Sequence, residues 1–260
     1  MECIRYFLPS RAAGKRGRPW ANHRRVINGI FWILHTGSPW RDLPVEFSCR
    51  QTVYNRFRRW INENVWDQIY QRLIKRADAL DQIDRSLWCA DGSVVRAHRA
   101  AAGMLPQSEE NDELNVLGRS RGGYSTKLHL LTDANGTVLA CTATPGQRHG
   151  STEFKCSLAN CVLWIHRTTK RPKGIAGDKC YGANAIRDSI CSRGIRPLIP
   201  TKSNGGKVDG FDKAQYRRRN IVERVSGWLK ESRRVATRYD KLTLSYLTFV
   251  QLAAMRRQLK

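Results

Sequence analysis

Acidic residues are scarce in this sequence, and long apolar runs are absent from it. Lysine and arginine number 46 against 22 aspartates and glutamates, which gives a net charge of +24. No stretch approaches the roughly 20 apolar residues of a membrane-spanning helix. The N-terminus also lacks the apolar core of a signal peptide. We therefore expect a cytoplasmic protein that neither spans a membrane nor is exported.

Paired cysteines are also missing. The eight cysteines are scattered singly along the chain, and none forms a CxxC pair. Structural zinc sites usually take their ligands from such closely spaced pairs, so a zinc site has little support. Without an export signal, an even number of cysteines is no evidence for disulfides. We expect reduced thiols, most of them buried.

The excess of positive charge recurs from one end of the chain to the other. A basic surface of this strength is usually matched to a polyanion, because each neutralised phosphate releases condensed counterions. Nucleic acid is therefore the expected partner, and the protein would be nucleoid-associated if that nucleic acid is DNA. A basic structural protein, such as a ribosomal one, is the alternative that composition leaves open.

The first part of the chain, residues 1–82, is predicted to be a small all-α domain. Apolar residues at helical spacing predict helices over 26–34, 51–60 and 64–79. Four basic residues surround the apolar stripe of the second helix: Arg50, Arg56, Arg58 and Arg59. Short helices, one of them rich in arginine, suit a helix-turn-helix-like DNA-binding domain. A merely solvated basic face is the alternative.

From residue 83 to residue 260 the pattern becomes mixed α/β. Two β-rich runs flank Asn135-Gly136, a strong signal for a hairpin turn. The other predicted elements are a strand over 86–98, an exposed acidic loop over 103–117, helices over 153–166 and 183–193, short strands in GIAGDKCY and RPLIPTK, a Gly/Lys-rich loop over 203–210, a long helix over 212–235 and a last helix over 242–255. This order fits a mixed sheet flanked by helices.

The predicted long helix carries polar residues on one side. On a helical projection, four of them fall within about 60° of arc: Tyr216, Arg219, Glu223 and Lys230. The apolar residues lie on the opposite side, so that a glutamate is centred in a basic stripe above a buried face. The alternative is an ordinary surface helix with salt bridges along it.

Two aspartates lie where strands are predicted. Asp91 stands within CADGSVV, and Asp178 ends the apolar run GIAGD. A carboxylate in a strand is costly unless positive charge compensates it. Together with Glu223 the pair could bind Mg²⁺, which prefers carboxylate oxygens, waters and substrate phosphate. Each aspartate alone is better explained as a turn or helix-cap residue, and only the trio favours two-metal phosphoryl transfer.

The spacing Tyr216-x2-Arg219-x3-Glu223-x6-Lys230 resembles the Y-R-E-K signature of bacterial insertion-sequence transposases of the DDE type. Further blocks along nearly the whole chain resemble the insertion-sequence-five group, part of the insertion sequence four/five superfamily: RGRPWANHRRVINGIFWILHTGSPWRDLP, QTVYNRFRRW, DGSVVRAH, GRSRGGYSTKLHLLTDANG, TPGQ, GDKCYGANAIR and RRNIVERVSGWLKESRRVATRYDKL. The chain departs from the family in DGS, where DST is commoner, and at Gly182, near which related proteins often have an acidic residue.

This resemblance implies an RNase H-like catalytic core over residues 83–260, preceded by the helical DNA-binding domain over 1–82. It implies three catalytic residues that hold two Mg²⁺ ions, with Mn²⁺ as a substitute: Asp91, Asp178 and Glu223. It also implies that three further residues grip DNA near the cut: Tyr216, Arg219 and Lys230.

The implied activity is DNA transposition. Such a protein binds the terminal inverted repeats of an insertion sequence, cuts the strands and transfers them to target DNA. The expected partners are double-stranded DNA, at the element ends and at the target, and a second copy of the chain, because two ends must be brought together. A catalytically inactive, transposase-derived DNA-binding regulator is the alternative, and it would bind the repeats without cutting them.

Overall fold

The N-terminal part of the protein is helical in a computed structural model that describes residues 8–9, 20–102, 116–120, 122–161, 163, 170–201 and 211–259. The three predicted helices are confirmed as α1 (His23–Thr36), α2 (Arg50–Asn62) and α3 (Val65–Ala79). The side chain of Asn22 caps α1 by accepting a hydrogen bond from the backbone N–H of Arg24 at 2.8 Å. The helix ends at Gly37, whose φ of 69° lies in the left-handed region.

A mixed β-sheet forms the centre of the rest of the chain. Its strands, within the described residues, are β1 (Trp88–Ala97), β2 (Gly118–Ser120), β3 (Gly123–Asp133), β4 (Val138–Pro145), β5 (Gly174–Ala176), β6 (Arg196–Leu198) and β7 (Thr237–Arg238). β3 pairs antiparallel with β1, β2 and β4. β5 pairs parallel with β1 and β6, and β7 pairs parallel with β1.

The order β4-β3-β1-β5-β6 therefore places three antiparallel strands beside two parallel ones, with β1 in the middle. This is the mixed sheet expected of an RNase H-like core, and the predicted fold class is confirmed. The edge strand β2 and the short β7 were not predicted from the sequence.

The predicted hairpin joins β3 to β4 through Asn135 and Gly136, and Gly136 has the positive φ of 86° that the turn requires. The carboxylate of Asp133 holds the turn. It accepts hydrogen bonds from the backbone N–H groups of Asn135 at 3.0 Å, Thr137 at 2.7 Å and Asp84 at 2.9 Å. Asp133 is fully buried, so these bonds replace the water that its charge gives up.

Among the described residues, the next helices are α4 (Arg99–Ala102), α5 (Phe154–Ala159) and α6 (Asn184–Cys191). The helix predicted over 153–166 is wrong in length, because α5 ends at Ala159. The backbone N–H of Cys161 bonds to the carbonyl of Leu158 at 3.1 Å, a three-residue step that takes the chain out of the α-helix. The side chains of Leu158 and Cys161 are buried, as predicted for the apolar side of this helix. Positions 162 and 165, predicted to lie on the same side, are outside the described residues.

The single long helix predicted over 212–235 is also wrong. The chain forms α7 (Lys213–Arg217), α8 (Asn220–Lys230) and α9 (Arg233–Ala236) instead. At the first junction the Arg219 N–H bonds to the Tyr216 carbonyl at 2.9 Å, again a three-residue step. Tyr216 and Glu223 therefore belong to different helices, and the projection angle between them does not hold.

Side-chain contacts from outside the segment accompany this first break. The guanidinium of Arg218 donates to the carboxylate of Asp84 and to the hydroxyl of Ser86, each at 3.0 Å. The amide of Gln215 donates to the Ser86 carbonyl at 3.2 Å. These bonds tie the junction to the segment before β1, more than 100 residues earlier in the chain.

The last helix, α10 (Thr243–Gln258), packs the N-terminal helices against the sheet. The rings of Phe57 and Phe249 stack with centroids 4.7 Å apart, and the guanidinium of Arg58 donates to the hydroxyl of Ser245 at 2.8 Å. From α3, the hydroxyl of Tyr70 donates to the Val138 carbonyl on β4 at 2.6 Å. One hydrophobic core therefore runs from the helices before residue 83 into the sheet after it.

Two predicted loops cannot be compared with the structure, since residues 103–115 of the acidic stretch and all of 203–210 lie outside the described residues. Among the helices that the structure describes, none has the length and hydropathy needed to cross a membrane.

Candidate active site

Asp91 lies on the central strand β1, opposite Leu130 of β3. Its side chain is 21% exposed, so it keeps little of its hydration. Burial raises the pKa of Asp91, and the charges of Asp178 and Glu223 raise it further, against the opposing effects of Arg219 and a backbone hydrogen bond. The strand thus holds a carboxylate whose ionised form is disfavoured by its surroundings and requires nearby positive charge.

Asp178 follows β5, the strand that runs parallel to β1 on its other side. Its carboxylate accepts a hydrogen bond from the backbone N–H of Cys180 at 3.0 Å and caps the 3₁₀ turn Lys179–Tyr181. The thiol of Cys180 also hydrogen-bonds to this carboxylate, and burial followed by that bond raises the pKa of the thiol to about 12. Asp178 is therefore held in place by the loop itself.

Glu223 lies on the first turn of α8, which packs against β1 and β3. Just before the helix, the guanidinium of Arg219 bonds to the Glu223 carboxylate, and its Nη1 lies 3.6 Å from Oδ1 of Asp91. Burial alone would lower the pKa of Arg219, but the charges of Tyr216, Asp91, Glu223 and Asp178 raise it above its ordinary value. One arginine thus supplies the positive charge that the acids require.

The two remaining residues of the signature lie beside this group. The ring of Tyr216 faces the guanidinium of Arg219 at 5.8 Å, a cation–π distance. The ammonium of Lys230 donates to the hydroxyl of Ser93 on β1 and lies 3.5 Å from the Val94 carbonyl. Burial lowers the pKa of Lys230, and the charge of Asp91 opposes that effect. The structure therefore brings together all six residues that the sequence singled out in this part of the chain.

The residues of this group fit a hard divalent cation in their chemistry. All three acids offer oxygen ligands, and they come from separate rigid elements. Among the described residues, however, no three His, Cys, Asp or Glu side chains are close enough together to hold a metal ion as they stand. The guanidinium of Arg219 lies between Asp91 and Glu223, where it acts as the counter-charge. Metal binding would therefore require Arg219 to move aside.

The arginines predicted to bind DNA on α2 differ in their surroundings. Arg50 and Arg59 are exposed, and Arg58 is half-buried in its bond to α10. Arg56 is only 7% exposed. It bonds to Nδ1 of His23 at 3.0 Å and packs against the rings of two tryptophans, at 4.6 and 5.6 Å. Arg56 therefore has little surface left for a DNA contact, because its charge is used inside the helical part.

Sequence reasoning missed three neighbours of the acids: Cys180, Tyr181 and Lys127. Burial and the charges of Cys180, Asp91 and Asp178 raise the pKa of Tyr181. Cys180 and Tyr181 stand within three residues of Asp178, so proximity in sequence could have indicated them. Nothing in the spacing of Lys127 points to the site. Its side chain crosses β1 at Gly92, on the face opposite to Asp91, and approaches the Asp178 loop beside Cys180.

Family models match both parts of the chain. The IS4/5 transposase model (DUF4096) matches residues 1–70, and the transposase DDE domain model matches residues 83–256. The chain belongs to the IS4/5 family of DDE transposases.

Two relatives are named as transposases. One, for insertion sequence element IS402 of Burkholderia cepacia, is 29% identical over 53% of this chain and 64% of its own length. The other, for IS6501 of Brucella ovis, is 31% identical over 50% of this chain and 94% of its own length. The chain thus spans less than two thirds of the IS402 protein. The paired-end complex of Mos1 transposase with the left transposon end shares 14% identity over 84% of this chain and 81% of that one, with a TM-score of 0.30, too distant a likeness to carry an argument.

Proposed function

We propose that this transposase cuts and rejoins DNA at a site formed by Asp91, Asp178 and Glu223, which would hold two Mg²⁺ ions. The observation that carries the proposal is the convergence of these acids, from β1, the end of β5 and α8, on one half-buried counter-charge, the guanidinium of Arg219. The bound ions would lower the pKa of the attacking hydroxyl and neutralise charge on the leaving oxygen. Mn²⁺ would substitute, since it accepts the same oxygen ligands.

The protein's own residues would position the DNA. Lys230, held against β1 by Ser93, and Tyr216, next to Arg219, would contact the strand beside the cut. The helices before residue 83, with Arg50 and Arg59 on their surface, would bind the terminal inverted repeats. A second copy of the chain would hold the other end of the element.

Two displacements at phosphorus would follow. Water would first attack the phosphodiester at the element end, so that the P–O3′ bond breaks and the element strand is left with a free 3′-hydroxyl. That hydroxyl would then attack a target phosphodiester, forming a new P–O bond as the target's own 3′-oxygen leaves and takes up a proton. The acids would hold the metal ions, which would supply positive charge at the reacting phosphate, and the basic residues would hold the phosphates in line.

The test is an assay of nicking on DNA that carries the terminal repeats of the element encoding this chain. In Mg²⁺ the wild-type protein should nick the repeat ends. Asp91→Ala, Asp178→Ala and Glu223→Ala should each abolish nicking and leave binding of the same duplex intact. Full nicking by any one variant would remove that residue from the site, and binding without nicking by the wild type would favour the inactive regulator.

A further inference from the structure

Lys127 is a basic residue whose position the proposed metal site does not explain. It lies on β3 between two fully buried residues, Thr126 and Leu128, and its own side chain is half-buried. In the antiparallel register Lys127 is opposite Val94 of β1, which puts Gly92 at the adjacent diagonal position on the same face and Asp91 on the other face. Diagonal neighbours of this kind are within reach of a long side chain.

The glycine at position 92 is what allows Lys127 to lie across β1. A Cβ built on Gly92 would stand 2.9 Å from Cε of Lys127 and 3.2 Å from Nδ1 of His129. His129 cannot withdraw easily, since it is buried and bonded to the hydroxyl of Thr144 at 2.7 Å. Burial and the charge of Lys127 lower the pKa of His129 to about 4, so the imidazole is neutral beside the ammonium.

The ammonium ends beside the loop that holds Asp178. Three side-chain atoms surround the position that a Cβ on Gly150 would occupy. Nζ of Lys127 lies 3.4 Å from that position, Sγ of Cys180 lies 3.3 Å from it and Oη of Tyr181 lies 3.5 Å from it. Cys180 in turn hydrogen-bonds to Asp178. Lys127 is thus one side chain away from a proposed metal ligand. Within the described residues it forms no ion pair with any carboxylate.

We propose that Lys127 is a DNA contact beside the cleavage site, and that its ammonium binds a phosphate oxygen of the DNA strand next to the Asp178 loop. The placement of the cut rests on the proposed function, whereas the phosphate contact itself does not require cutting. A lysine supplies a point charge, so the contact adds affinity and fixes the strand without reading its sequence. A purely structural lysine that only offsets the charge of Asp178 would make no such contact.

The first test is the salt dependence of binding to a duplex that spans the terminal repeat and its flanking DNA. Each lost phosphate contact lowers the slope of log K against log salt by about 0.9. Lys127→Met should show that loss, and Lys127→Arg should restore the slope. Lys155→Met is the matched control, because Lys155 is an exposed lysine of α5, and its slope should equal that of the wild type.

The second test locates the phosphate. A methylphosphonate, which is uncharged, is placed in turn at each phosphate around the cleavage position, and the loss of affinity is measured for wild type and Lys127→Met. At one position the two losses should be non-additive, since both changes remove the same contact. Gly92→Ala keeps the charge but displaces Lys127, so it should reproduce the Lys127→Met result at that position.

The proposal is overturned if the slope is unchanged in Lys127→Met and the losses add at every phosphate. If Lys127→Met does not fold, Lys127→Arg and Gly92→Ala decide the question. A phosphate contact requires the wild-type salt slope in Lys127→Arg and a slope lower by about 0.9 in Gly92→Ala. Failure of the proposed function gives a different result. If the wild-type protein never nicks DNA, the salt slope and the non-additive phosphate position can still be measured, because both come from binding.

Discussion

Asp91 and Asp133 are both carboxylates of the central sheet, the first half-buried and the second fully buried, and their surroundings differ in kind. Asp133 is surrounded by three backbone N–H groups that cannot leave without breaking the hairpin turn. Asp91 has the guanidinium of Arg219, at the end of a flexible side chain, and two further acids near it. Fixed backbone donors make a carboxylate structural. A movable counter-charge would leave Asp91 free to exchange its partner for a metal ion, as the proposed function requires.

The largest expected effect is the loss of DNA cleavage in Asp91→Asn. The amide would ligate Mg²⁺ poorly, and the loss of several kcal/mol of transition-state stabilisation would slow nicking by about 10³-fold or more. Asp133→Asn, measured below its unfolding temperature, should nick at close to the wild-type rate. Equal loss of nicking in both variants would contradict the distinction between a structural Asp133 and a catalytic Asp91.

The next effect is on stability. Here Asp133→Asn should be more affected than Asp91→Asn, the reverse of the order expected for nicking. Asp133→Asn leaves at least one buried N–H without an acceptor, which should lower the free energy of unfolding by about 1–3 kcal/mol. Asp91→Asn removes a carboxylate whose ionised form is disfavoured by burial, and it should not destabilise the metal-free protein at pH 7. Urea unfolding of the two variants and the wild type measures both values.

A smaller effect concerns the counter-charge. Arg219→Gln removes the cation that competes for Asp91 and Glu223, so Mn²⁺ should bind the DNA-free protein about tenfold more tightly, the equivalent of one charged hydrogen bond. The adjacent Arg218→Gln is the control, because Arg218 bonds to Asp84 and Ser86 instead. Electron paramagnetic resonance of free Mn²⁺ gives both affinities. No difference between the two variants would mean that Arg219 does not compete with the metal.

The smallest effect is the pH dependence of stability. The raised pKa of Asp91 means that the folded protein holds this proton more tightly than the unfolded chain does. The stability from the protonated form is therefore complete below the ordinary aspartate pKa of about 3.9 and is lost as the pH rises through the folded-state value. Asp91→Asn lacks this loss, so its stability relative to wild type should increase between pH 4 and the folded-state pKa. A constant difference would contradict the assigned shift.

Much of this architecture could be predicted from the sequence, because local patterns determine it. The Asn135-Gly136 turn and the apolar stripes of the N-terminal helices depend on neighbouring residues, and both predictions are confirmed. The breaks around α8 were missed, since bonds from Arg218 to the distant Asp84 and Ser86 accompany the first of them.

The candidate active site also has features that the sequence indicated and features that depend on contacts between distant residues. Family resemblance indicated the three acids and the basic residues on and beside α8, and the structure brings them together. It could not indicate that Arg219 bridges two of the acids, or that Gly92 opens a path for Lys127, since both depend on strand and helix packing. The burial of Arg56 was missed for a related reason: the sequence of a helix does not reveal that aromatic rings cover one of its charged residues.

The most direct test of the metal site is anomalous diffraction from crystals of the protein bound to a terminal-repeat duplex and soaked in Mn²⁺. We expect anomalous peaks within coordination distance of carboxylate oxygens from Asp91, Asp178 and Glu223, with Arg219 turned away from Asp91 towards a DNA phosphate. A DNA complex with no peak at these three side chains, or with Arg219 still between Asp91 and Glu223, would contradict the proposed metal site.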